Sequence, residues 1–277
     1  MMDCVHSLEI ARLVSGREPA KAGRADKVFN CRIPLRTDSL SLTIQVADRP
    51  ARPSDLVPLA RAMSDRITDA CVREARQAGL CVPCRKGCST CCHFLTAVSA
   101  PEAMRLSEDI KSLGGKQERT LLAACLDASK LILNAPPPPP GSGDGPDEHL
   151  RRLSRWYASL DLACHFLTDN ACSIYANRPI ACREFVVVSS PGQCGPEGTA
   201  SSLDLPIRMS ECMHELACQV AQADQPTLML PLARLWAQTN PANAQLTRPA
   251  DELVERLLHV VSRQASRKLA PVCRIAG

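Results

Sequence analysis

Along this chain the apolar positions recur first at a spacing of two and then, for most of its length, at spacings of three and four. Leu40, Leu42, Ile44 and Val46 alternate with Ser41, Thr43 and Gln45, the period of a half-buried strand. Lys27–Ile33 supplies a partner strand and Arg36-Thr37-Asp38-Ser39 the turn, so a small N-terminal β-hairpin is expected. From residue 54 the period changes. Leu56, Leu59, Ala60, Met63, Ile67, Ala70 and Cys71 recur at helical spacing, with Ser54 placed as N-cap and Gly79 as stop. Ser99-Ala100-Pro101-Glu102 has the form of a capping box and opens a second helix that ends at Gly114-Gly115. A third helix covers Gln117 to Leu133, and further helical patterns occupy Asp147–Leu160, Met209–Ala223, Thr227–Gln238 and Pro249–Lys268.

Five prolines, Pro136 to Pro140, and the glycine-rich stretch after them cannot continue a helix, so residues 135–146 form an exposed excursion. Cysteines on both sides of this loop belong together, which argues against a domain boundary there. The expected architecture is mainly α with a small N-terminal β-hairpin. Residues 1–50 are an N-terminal segment carrying the hairpin, and residues 51–277 form a helical cysteine-cluster domain.

Composition sharpens this picture at one point. Of 277 residues 45% are hydrophobic, enough for a core, but only 3% are aromatic, so that core rests on Leu, Ala, Val and Ile. The formal charge of +4 is small, and thiolates around metal ions would bring it close to zero. No basic run is interleaved with aromatics, which argues against a nucleic-acid partner. No apolar run is long enough to span a membrane, and Met1–Ser7 lacks a basic segment leading into an apolar one. A cytoplasmic chain with a protein or small-molecule partner is expected. The 16 cysteines then point to metal or redox chemistry instead of a disulfide framework.

Nine residues hold the first group: Cys84-Arg85-Lys86-Gly87-Cys88-Ser89-Thr90-Cys91-Cys92. Short Cys-x(2–4)-Cys loops place two sulfurs on one ion. Adjacent cysteines normally point apart, so Cys91 and Cys92 suggest two centres, one ligand beside a free thiol, or a redox-active pair. The second group, Cys164, Cys172, Cys182 and Cys194, has wide spacings that fit a site assembled from loops between helices. No phosphate-cradling glycine loop, His-Glu-x-x-His or Gly-x-Ser-x-Gly occurs.

The cluster at Cys84–Cys92, followed by Cys-Ser-Ile-Tyr-x-x-Arg-Pro-x-x-Cys-Arg-Glu-Phe at Cys172–Phe185, resembles the YkgJ-like cysteine-cluster proteins, a zinc- or iron-chelating family. Many members separate the first two cysteines by two residues, whereas three stand here. The resemblance implies eight metal ligands: Cys84, Cys88, Cys91, Cys92, Cys164, Cys172, Cys182 and Cys194, with Cys212 as a substitute for Cys194. Flagellin lysine methylases carry a similar cluster, but this chain has no recognisable separate cofactor domain.

Other residues have plainer readings. Cys4, Cys31, Cys71, Cys125, Cys218 and Cys273 are expected to be small buried hydrophobes, and Cys81 competes with Cys84 by proximity alone. His93 and His165 neighbour presumed ligands and are expected around the metal or on the surface. Arg178 and Arg183 either end a turn before Pro179 or offset thiolate charge. Glu184 is expected to be an exposed helix carboxylate. Two functions follow: an iron–sulfur or iron centre in a redox or cluster-dependent enzyme, or a zinc-stabilised binding or regulatory module.

Overall fold

The computed structural model describes residues 27–35, 39–143, 145–194, 199–220 and 227–269. In chain order the elements are β1 (Lys27–Pro34), β2 (Ser39–Val46), β3 (Pro50–Ala51), α1 (Val57–Gln77), β4 (Ala97–Ser99), α2 (Ala100–Leu113), α3 (Gly115–Asn134) and α4 (Pro146–Ser159). They continue with β5 (Leu167–Thr168), β6 (Ala171–Cys172), α5 (Ile180–Glu184), α6 (Met209–Val220), β7 (Thr227–Met229), α7 (Leu230–Thr239), α8 (Pro241–Gln245), β8 (Arg248–Pro249) and α9 (Ala250–Leu269). The fold is mainly helical, as the period predicts, and no described helix is long and apolar enough to cross a membrane.

The hairpin forms in the expected register, with Phe29 opposite Ile44 and Ile33 opposite Leu40. The expected turn residues 36–38, the aperiodic residues 1–26 and residues 221–223 of the expected Met209–Ala223 helix lie outside the described residues. Leu40, Leu42, Ile44 and Val46 all point inward, so one face of β2 joins the first hydrophobic core together with α1, α6 and α9. A second core gathers Val98, Ala103, Ile110, Leu121, Phe166, Leu228 and Ala233 from β4, α2, α3, the segment just before β5, β7 and α7.

Two helix starts differ from the sequence expectation. Ser54 does not cap α1; a 3-10 turn spans Pro53–Leu56, and the α-helix begins at Val57. The reason is Pro58, which has no N–H to donate to the Ser54 carbonyl and so cannot extend the α-helical ladder backwards. At its other end α1 stops as predicted. Gly79 takes φ +81°, its N–H donates to the Arg76 carbonyl at 3.0 Å, and Leu80 N–H reaches Ala75 at 2.9 Å. That is the Schellman arrangement, for which glycine is the least strained residue. The second departure is Thr227–Met229, expected as helix but paired as a strand with Ala97–Ser99. Leu230 N–H donates to the Thr96 carbonyl at 2.9 Å, and Pro231 then opens α7 in its first turn.

The capping box of α2 is complete, with Ser99 Oγ accepting from Glu102 N–H and Glu102 Oε2 accepting from Ser99 N–H at 3.0 Å. Its other oxygen, Oε1, accepts the N–H of Ile180 at 2.9 Å. One buried carboxylate thus fixes the start of α2 and the start of α5 together.

Candidate metal centre

Cys84 follows Val82, which is buried in the first core, and Cys84 packs against that core. Its sulfur accepts the N–H of Val187 at 3.4 Å. Residues 85–88 then make a tight turn closed by Cys88 N–H donating to the Arg85 carbonyl at 3.1 Å. Gly87 sits in that turn at φ +91°, a conformation a side chain resists. The third residue between Cys84 and Cys88 is therefore accommodated by a hydrogen-bonded turn. Next, Thr90–His93 wind as a 3-10 turn, with Cys92 N–H on the Ser89 carbonyl at 2.9 Å. Successive 3-10 residues project about 120° apart. Cys91 and Cys92 nonetheless stay within reach of each other, and both border one cavity.

The second half is docked onto the first through the backbone: Cys164 N–H donates to the Cys92 carbonyl at 2.6 Å. Phe166, 1% exposed, anchors the following segment in the second core, against which Cys164 and Cys172 pack. β5 and β6 pair as a minimal hairpin around Asp169 and Asn170, with φ of 49° and 57°. Two successive left-handed residues are the hallmark of a type I′ turn, and it sets Cys172 opposite Leu167. The Ser173 N–H and hydroxyl both donate to the Phe166 carbonyl, at 2.8 and 2.9 Å. α5 then presents Cys182. Beyond it, Leu203 N–H donates to the Val186 carbonyl at 2.7 Å, and the turn Pro191–Gln193 ends at Cys194.

All eight cysteines named by the sequence line a single half-open cavity of about 300 Å³ between the two hydrophobic cores. Cys212 does not; it is fully buried on α6 in the first core, its thiol donating to Gln264 Oε1 at 3.3 Å. Cys81 and His93 are exposed and outside the cavity lining, and His165, half-buried, is outside it too. His165 packs on Phe166, with ring centroids 4.0 Å apart, and burial lowers its pKa to about 4. Cys71 and Cys125 are buried as expected, whereas Cys218 is exposed and Cys31 half-buried. Cys4 and Cys273 lie outside the described residues.

Crowding and burial set the electrostatics. Burial pushes the thiols of Cys84, Cys172, Cys182 and Cys194 up and that of Cys164 up to about 11. The hydrogen bond between Cys91 and Cys92 raises the first and lowers the second. Without a compensating cation, few of these thiols would ionise together. The backbone opposes the trend: N–H groups of Val187, Phe166 and Ile174 favour thiolate at Cys84, Cys164 and Cys172. Sulfur donors that meet peptide N–H groups and need added positive charge fit a thiophilic metal. Among the described residues, no three Cys, His, Asp or Glu side chains converge on one ion-sized point; the thiols surround a space.

Of the four arginines that line the cavity, Arg178 and Arg183 do so in different ways. Arg183 is committed to the fold, donating to Asp65 at 2.5 Å and to the carbonyls of Arg178, at 3.1 Å, and Ala176. Arg178 lies over the Tyr175 ring, 4.0 Å from its centroid, and favours thiolate at Cys91 and Cys172. Arg178 also ends the turn before Pro179, so both roles the sequence left open meet in that one residue, while Arg183 braces the fold. Glu184 corrects an expectation: it is 2% exposed, not solvent-facing. Its carboxylate accepts from the Ser64 hydroxyl at 3.3 Å and from Ser210 N–H at 3.3 Å, at the start of α6. Thr96, which the sequence did not single out, also lines the cavity and hydrogen-bonds Cys182. No short motif marks it, because it reaches the site through the β4–β7 pairing.

Fold and cavity together make a mainly helical unit around a cysteine-lined cavity. Residues 83–201 match the family model CxxCxxCC, described as “Putative zinc- or iron-chelating domain”. The YkgJ-like resemblance is thereby borne out over the segment that carries the motifs. Comparison with curated proteins and with solved structures gives no match.

Proposed function

We propose that the cavity holds an iron–sulfur cluster or iron ions on the thiolates of Cys84, Cys88, Cys91, Cys92, Cys164, Cys172, Cys182 and Cys194, in a redox or cluster-dependent protein. The observation that carries this reading is the convergence of eight cysteines, from separate stretches of chain, on one cavity. Thiolates on one tetrahedral zinc ion stand about 3.8 Å apart, since Zn–S is about 2.3 Å, and such sites close without leftover space. Thiols arranged around a space of about 300 Å³ suit a centre with several metal atoms, each taking different sulfurs. When bound, such a centre supplies electron transfer or Lewis-acid chemistry. The chain's own part is to hold the sulfurs, to offset their charge with Arg178 and to leave a mouth for a small-molecule or protein partner. Reduced thiols in this number suit a cytoplasmic setting.

Anaerobic purification with metal analysis, acid-labile sulfide assay and an absorption spectrum tests it. Iron with sulfide and visible absorption is the expected result. A colourless protein with about two zinc ions, four cysteines to each, would replace this reading with a zinc-stabilised binding or regulatory module.

A further inference from the structure

A second cavity, of about 290 Å³, lies between α3 and α7, with its own set of lining residues. Leu122, Leu126 and Leu235 make its walls mainly apolar, while Arg234 and Gln238 supply its polar groups. Leu126 is half exposed, so the cavity opens to solvent beside it.

Arg234 is unusual in this setting. It is only 9% exposed, and among the described residues no carboxylate stands within ion-pair distance of it. Its Nε has no hydrogen-bond partner. Its Nη1 and Nη2 reach the Gln238 amide oxygen, turned toward them, at 3.2 and 3.0 Å. Burial pulls the Arg234 pKa down, opposed by Cys125 in the same cavity wall and by Glu118, one turn before Leu122 on α3 and beyond ion-pair reach. A buried guanidinium facing only a neutral amide is costly to maintain unless an anion completes it. Arginine's planar fork of donors matches a carboxylate. A mainly apolar cavity with a few convergent polar groups, near the lower end of ligand-site volumes, is the ordinary form of a small-molecule site.

We propose that this cavity binds an aliphatic carboxylate, its headgroup on Arg234 and its hydrocarbon chain along Leu122, Leu126 and Leu235. The apolar chain replaces water against the leucines, and the carboxylate supplies the missing countercharge. The site is separate from the cysteine cavity and does not rest on which metal that cavity holds.

The test uses the full, metal-loaded chain and three probes: decanoate, decan-1-ol and acetate. Calorimetry measures binding, and fluorescence of Trp236, on α7 and packed against the second core, reports on it independently. Decanoate is expected to saturate one site per chain, about tenfold or more tighter than decan-1-ol, since a charge-assisted pair contributes roughly that factor. Acetate, lacking the chain, is expected to bind more weakly still. Arg234→Gln and Leu126→Asp should each weaken decanoate by about tenfold or more while leaving metal content unchanged. Leu126 is exposed, so Leu126→Asp carries the test even if Arg234→Gln fails to fold. Equal affinity for decanoate and decan-1-ol, or full affinity in a folded Arg234→Gln, would overturn the proposal. So would absence of decanoate binding with self-association abolished by Leu126→Asp, which would make this face a contact between copies of the chain.

Discussion

The N–H of Cys164 donates to the carbonyl of Cys92 at 2.6 Å, joining by one backbone bond the two cysteine groups that α2, α3, α4 and the proline-rich loop separate in sequence. Cys84 packs on one hydrophobic core, Cys164 and Cys172 on the other. A metal bridging these groups therefore also bridges the cores. Metal binding and stability should be coupled, because ligands brought together by folding return binding energy to the folded state.

Cys182 tests that coupling most directly, since it sits on α5 among the other thiols and burial raises its pKa strongly. Cys182→Ser is expected to lower metal affinity by at least about tenfold. Melting temperature should fall with it, by roughly 2–4 °C for each kcal/mol lost. Metal analysis and calorimetry on the same sample check both. Wild-type metal content in Cys182→Ser would remove this residue from the ligand set.

Glu102 should matter to the site without touching it. It is 3% exposed, caps α2 through Ser99 and holds Ile180 N–H at the start of α5. Glu102→Ala leaves donors at two helix starts without their acceptor, a loss of about 2–4 kcal/mol. Because Cys182 lies in the first turns after Ile180, metal affinity is expected to fall as well. Denaturant unfolding with and without added metal separates the two effects. An unchanged unfolding midpoint would show that the shared carboxylate is dispensable.

Much of this arrangement is legible in the sequence where the signal is local. The hairpin follows from alternation at Leu40–Val46, the start of α2 from Ser99 and Glu102, and the cysteine hook from its own spacing. What escapes is set by pairing at a distance. Thr227–Met229 is three residues long, too short to show a period of two, and becomes a strand only because Ala97–Ser99 lies beside it. Glu184 looks like a surface carboxylate until α6 begins next to it at Met209. The choice between Cys194 and Cys212 has the same character. Both follow Cys182, and only the packing of α6 against α9 turns Cys212 into the core while Cys194 stays at the cavity.

Thiol reactivity should separate the cysteines by burial. Burial holds Cys125 up at about 11, whereas Cys81 and Cys218 are exposed. Since thiolate is the reactive form, iodoacetamide near pH 8 is expected to modify Cys81 and Cys218 first. Cys71, Cys125 and Cys212 should react only after denaturation. The pH dependence has a definite sign. A thiol whose folded pKa lies above its ordinary 9 contributes stability that is intact below pH 9 and lost as pH rises through about 11. Peptide mapping of the alkylated chain distinguishes the two groups. Early labelling of Cys125 would contradict its buried position.

The type I′ turn at Asp169-Asn170 makes the last prediction, because it places Cys172 by backbone conformation alone. Asn170 holds φ 57°, a region that asparagine and glycine tolerate and β-branched residues resist. Asn170→Val should cost about 1–2 kcal/mol from that strain. Asn170→Gly should be close to neutral, since the relief of strain offsets the greater freedom of the unfolded chain. Strain at Asn170 can be relieved only by letting β6 move, which displaces Cys172 relative to Leu167 and the Ser173–Phe166 contacts. Metal content should therefore fall in Asn170→Val and hold in Asn170→Gly, measured at equal protein concentration. If Asn170→Val lowered stability yet left metal content and spectrum unchanged, Cys172 would not need this turn to reach the metal.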